Sequence, residues 1–131
     1  MKYLLAPALL ATAAHALGLV YKNEPAPLST FTIGTDYVLQ WTPYDAQPTD
    51  TFTLKVVATN KTETRDVYGF PHFDMRTVVV GDAVKFVNGV YTWKVEPIDD
   101  KGVWKGEEFY YSFNADYQSH IASSRTFQIV D

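Results

Sequence analysis

Trp104 sits in Val103-Trp104-Lys105-Gly106, among glycine and charged neighbours rather than in a strand-like alternation, and Tyr110, Tyr111 and Tyr117 follow it. A glycine-flanked tryptophan can lay its ring face on a sugar, whose axial C–H groups stack on π-systems. These four aromatics predict a carbohydrate-binding platform; the competing arrangement folds Trp104 over the end of the domain as a lid. His72, in Phe70-Pro71-His72-Phe73, and His120, in Gln118-Ser119-His120-Ile121, are the imidazoles beyond His15. A leader cut after Ala14 would expose His15 as an amine-plus-imidazole chelate, and a third nitrogen from His72 or His120 would complete a copper brace. The better cut, after Ala16, destroys that arrangement, so no metal is expected. Acid–base work on a glycan needs two carboxyls facing one bond, ~5–10 Å apart. Asp99-Asp100 and Glu107-Glu108 are sequence neighbours, which on a strand point to opposite faces. There is no cysteine for thiol or zinc chemistry, no Gly-x-Ser-x-Gly elbow and no phosphate loop. The chain reads as a non-enzyme without catalytic residues or cofactor.

Period-two alternation dominates the elements that must carry these side chains. Tyr37, Leu39 and Trp41 share one face; Phe52, Leu54, Val56 and Ala58 another; Tyr91, Trp93 and Val95 a third; Phe127 and Ile129 close the chain. Met75–Val80 and Ala83–Val87 are shorter apolar runs, and Phe109–Phe113 is an aromatic one. Gly34-Thr35-Asp36, Thr42-Pro43, Gln47-Pro48, Gly81-Asp82, Asn88-Gly89 and Asp99–Gly102 read as the turns between them. Leu19–Leu28, with Pro25 and Pro27, reads as one edge strand, since proline cannot donate to a ladder. The pattern predicts an all-β, antiparallel sandwich of immunoglobulin or fibronectin-III type with about seven strands. The chain is 131 residues long with 47% hydrophobic and 20% charged residues, enough apolar material for one domain and not the composition of a disordered tail. A net charge of −4 excludes the basic footprint of a nucleic-acid binder.

Met1-Lys2, the apolar run Tyr3–Ala13 and the small residues of Ala14-His15-Ala16 have the layout of a secretory signal peptide over residues 1–16. The run is too short to span ~30 Å of hydrocarbon at 1.5 Å per residue. Secretion leaves residues 17–131 as one domain and removes Lys2, taking the charge to −5. Asn60-Lys61-Thr62 is the one acceptor triplet for N-glycosylation and is expected on an exposed turn.

Several segments resemble a known family. Glu24-Pro25-Ala26-Pro27, Phe31-Thr32-Ile33-Gly34 and Tyr37-Val38-Leu39-Gln40-Trp41-Thr42-Pro43 are similar to the opening of the Ig-like domain of the yeast Kre–Knh cell-wall-synthesis family. Phe52-Thr53-Leu54-Lys55-Val56, Gly89-Val90-Tyr91-Thr92-Trp93-Lys94-Val95 and Ser123–Ile129 resemble its later strands. The resemblance implies a fungal, secreted or wall-associated domain acting in β-glucan assembly or heading a Ser/Thr-rich, GPI-anchored protein. The chain reaches Asp131 without such a tail, which favours a freely secreted form. The expectation is thus a secreted, monomeric, non-catalytic binding domain, extracellular or in the cell wall, without nucleic acid or membrane span. Its partner is a wall polysaccharide or, alternatively, a surface protein that it engages as an effector-like interaction module.

Overall fold

The computed structural model describes residues 16–26, 29–99 and 103–131. The segment expected as a signal peptide, apart from Ala16, lies outside them, as do Pro27, Leu28, Asp100, Lys101 and Gly102. Nine strands occur in chain order: β1 Gly18–Tyr21, β2 Ser29–Thr32, β3 Asp36–Tyr44, β4 Thr51–Arg65, β5 Pro71–Lys85, β6 Val90–Lys94, β7 Phe109–Tyr117, β8 His120–Ser123 and β9 Phe127–Val130. They form two sheets, ordered β1-β3-β6 and β2-β9-β7-β4-β5, with β8 beside β7. The sheets pack as an all-β sandwich, and their order is that of an immunoglobulin-type layout in which the first strand divides between the layers. Among the described residues no helix is long and apolar enough to cross a membrane.

The alternating residues drive this packing. Leu39, Trp41, Phe52, Leu54, Val56, Ala58, Trp93, Val95, Phe127 and Ile129 are all buried, each on the face its period assigns. Phe113 of β7 is the hub. Its ring meets Tyr37 of β3 at 5.7 Å, Trp93 of β6 at 5.3 Å and Phe127 of β9 at 5.2 Å, so it touches both sheets. Antibody domains tie corresponding strands with a disulfide. This cysteine-free chain uses stacked rings at that place. A second cluster joins Trp41, Phe52, Phe86 and Tyr117 through edge-to-face contacts of 5.0–5.2 Å. Within it the Trp41 indole N–H donates to the Phe86 carbonyl at 2.9 Å.

Several expectations need correction. The described residues form nine strands rather than about seven. Leu19–Leu28 is not one strand: β1 pairs antiparallel with β3, whereas β2 runs parallel to β9 in the other sheet. Gly81-Asp82 is no turn but lies inside β5. Leu54 pairs with Gly81 and Lys55 with Val79, which leaves Val80 as an extra residue, a bulge. Gly81 suits that kink because a Cβ there would lie 2.7 Å from Val84 Cγ2. Asn60 is in β4, paired with Phe109, rather than on a turn. Pro71, His72 and Phe73 belong to β5, whose pairing with β4 runs to Arg65↔Pro71. Proline is tolerated at the first residue of an edge strand.

Candidate functional site

The four aromatics expected to form a sugar platform do not converge. Trp104 is 8% exposed and Tyr111 fully buried. Trp104 packs against Phe109 at 5.0 Å, and the Arg76 guanidinium covers its ring at 5.2 Å. It is packed in the lid arrangement, its flat apolar face roofing Phe109 and the sandwich end rather than facing water. Tyr110 points to the opposite face of β7 from Tyr111, with the Lys61 ammonium 5.4 Å from its ring centre. Tyr117 ends the same strand, about 24 Å from Tyr110 at ~3.4 Å per residue, and meets Phe86 at 5.0 Å.

Tyr111 has a structural task. Its hydroxyl accepts from the Ile98 N–H at 2.8 Å and donates to the Trp104 carbonyl, clamping the β6–β7 connection to the start of β7. This is the tyrosine corner of immunoglobulin-type sandwiches. Burial pushes its pKa up to about 12, against the opposing pull of the Ile98 N–H. Burial also raises Tyr21 and Tyr37, both helped by the negative charge of Glu24. A phenol that ionises later in the folded chain gives stability that is whole below pH ~10, the unfolded value. That stability falls as pH climbs from there through about 12. The denaturation midpoint should therefore decline above pH ~10, with tyrosinate absorbance appearing as near-UV dichroism collapses. Ionisation of Tyr21, Tyr37 and Tyr111 near pH ~10 with the fold intact would contradict this. Tyr111→Phe should cost about 1–3 kcal/mol at neutral pH by stranding its two main-chain partners.

His72 contacts Thr64 Oγ1 at 3.0 Å and lies 3.8 Å from Asp74, and His120 lies beside Tyr117 at the β7–β8 hairpin. Among the described residues no three His, Cys, Asp or Glu side chains gather to hold an ion, and His15 lies outside them.

The conspicuous surface is elsewhere. β4 pairs with β7 as far as Asn60, and Lys61 and Thr62 still bond Glu108, just before β7, so only Glu63–Arg65, paired with Pro71–Phe73, form a two-stranded arm. At ~3.4 Å per residue the arm reaches about 10 Å. At its tip Val67 is 92%, Tyr68 82% and Phe70 66% exposed, with Phe73 also exposed along the arm. The turn beneath them is well tied. Asp66 Oδ1 accepts from the N–H groups of Tyr68 at 2.8 Å and Phe70 at 3.0 Å. Arg65 Nη1 donates to the Gly69 carbonyl at 2.7 Å, and Gly69 supplies the positive φ of 84°. Three bulky apolar groups are thus held in water by a polar scaffold. Sequence reasoning singled out Phe70-Pro71-His72-Phe73 for His72 but missed Val67 and Tyr68, although Asp66-x-x-Gly69 is a visible turn signal.

A second feature is a groove of about 600 Å³ between β5 and β6, the facing edges of the two sheets, lined by Val78, Val80, Tyr91, Trp93 and Ile98 among others. It exists because the larger sheet has five strands abreast and the smaller only three. Compared with protein-family models, with curated proteins and with solved structures, the chain matches none, so these two surfaces are what a functional reading rests on.

Proposed function

We propose that this chain is a secreted, non-catalytic recognition domain that binds another protein through the β4–β5 arm. The observation that carries this reading is the tip itself: Val67, Tyr68 and Phe70 face water on a turn fixed by Asp66 and Arg65. Exposed, clustered large apolar groups mark interaction sites, and aromatic anchors seated in a partner's pocket dominate binding energy. A turn already held in shape loses little entropy on binding. The leader-like residues 1–16 support an extracellular setting. The wall association implied by the Kre–Knh resemblance fits a protein embedded in the wall as the partner. The polysaccharide version loses its main support, because Trp104 and Tyr111 are packed inside.

The test compares wild type with Val67→Ser/Tyr68→Ser/Phe70→Ser for retention on intact cell walls, protease-stripped walls, β-glucan and chitin. Wild type should bind intact walls only, and the variant should lose about a hundredfold in affinity with little change in thermal midpoint. Equal retention of both proteins, or binding that survives protease stripping, would overturn the proposal.

A further inference from the structure

We infer that the groove between β5 and β6 takes an extended peptide segment of a partner protein as an added strand on β6. This goes beyond the arm and does not depend on it.

The main chain of β6 supplies the first argument. Val95 donates its N–H to the Thr35 carbonyl and accepts from the Gly34 N–H, while the Gly89 carbonyl accepts from the Trp41 N–H. Alternate residues of a strand turn their amides to opposite sides. Tyr91 and Trp93 therefore bond β3, and Thr92 and Lys94 turn N–H and C=O to the open edge, where no described strand pairs with them. Two such residues spaced two apart are what a further strand bonds.

The second argument is Trp93, only 5% exposed and lining the groove. Trp41 spends its indole N–H on a carbonyl, but that of Trp93 meets no acceptor among the described residues. No buried side-chain nitrogen or oxygen among the described residues lacks a partner, so the Trp93 nitrogen keeps contact with solvent, and Trp93 lines the groove.

The occupant follows from these donors and from the lining. Main-chain donors and acceptors in register recognise a peptide backbone rather than a sugar or a lipid. The charged lining residues, Arg76 and Lys94 against Glu96 and Asp99, balance, while Val78, Val80, Tyr91 and Ile98 are apolar. The segment selected is uncharged, with apolar side chains at alternate positions. A groove of about 600 Å³ suits a few residues, whereas a folded partner buries roughly 800 Å² per side. Addition to β5 is blocked at Val80, a bulge whose carbonyl already accepts from the Tyr91 hydroxyl at 2.5 Å.

The probe is a phage-displayed library of linear decapeptides selected against the whole chain. The best binder is then titrated into nitrogen-15-labelled protein. The expected result is an alternating apolar sequence that shifts the Thr92 and Lys94 amides and the Trp93 indole N–H and slows exchange of those two amides. Thr92→Pro, which removes one edge donor at a position where proline is tolerated, should weaken binding about tenfold. Val78→Lys, on the exposed groove wall, should abolish it, and the triple tip variant should bind as wild type does. Enrichment of no peptide, binders that leave Thr92 and Lys94 unshifted, or the same shifts arising from self-association without peptide would each overturn the inference.

Discussion

Phe113→Ala should lower the free energy of unfolding by about 3–5 kcal/mol, a large share of the roughly 5–15 kcal/mol such a domain holds. The ring is fully buried and touches Tyr37, Trp93 and Phe127 at 5.2–5.7 Å, so its loss opens a cavity where both sheets meet. Those neighbours belong to β3, β6 and β9, and none can move in without leaving its own ladder. With no cysteine in the chain, no cross-link limits the damage. Urea denaturation followed by tryptophan fluorescence measures the effect. Phe113→Leu, which keeps most of the volume, should retain more of the stability. A loss below ~1 kcal/mol for the alanine variant would show that Phe113 is not the hub.

Trp104→Ala should also act on stability, lowering the thermal midpoint by roughly 10 °C or more. The indole is 8% exposed between Phe109 and the Arg76 guanidinium, and removing it uncovers the sandwich end beside Tyr111. Trp104→Phe, which keeps an apolar roof, should recover much of that loss. Retention on β-glucan or chitin should be the same for wild type and both variants. Unchanged melting together with lost polysaccharide retention would restore Trp104 as a ligand platform and remove it as a lid.

The contrast between Trp93 and Trp104 shows how far the chain could be read locally. Trp93 lies in an alternating run, and the period alone assigns it to the core. Trp104 stands between glycines with no period, so only its packing on Phe109 and Arg76, set by strands far apart in sequence, decides its burial. The same holds for the β7–β8 hairpin. Its two turn residues, Gln118 and Ser119, both take positive φ without the Asn-Gly signature that would announce it. The Val80 bulge and the parallel β2–β9 pair are products of register, which no single segment displays. The candidate surfaces were harder still. The alternation that marks a core face says nothing of a ribbon outrunning its sheet, and the groove arises from a difference in strand number between layers.

The most direct measurement places a photo-reactive phenylalanine analogue at Tyr68, with Val20, exposed on β1 of the smaller sheet, as the control position. Irradiation of the protein in contact with intact cell walls should yield a discrete adduct from position 68 alone. Protease should destroy that adduct, and glucanase and chitinase should leave it intact. An adduct released by the polysaccharide hydrolases, or identical products from both positions, would contradict protein recognition by the arm.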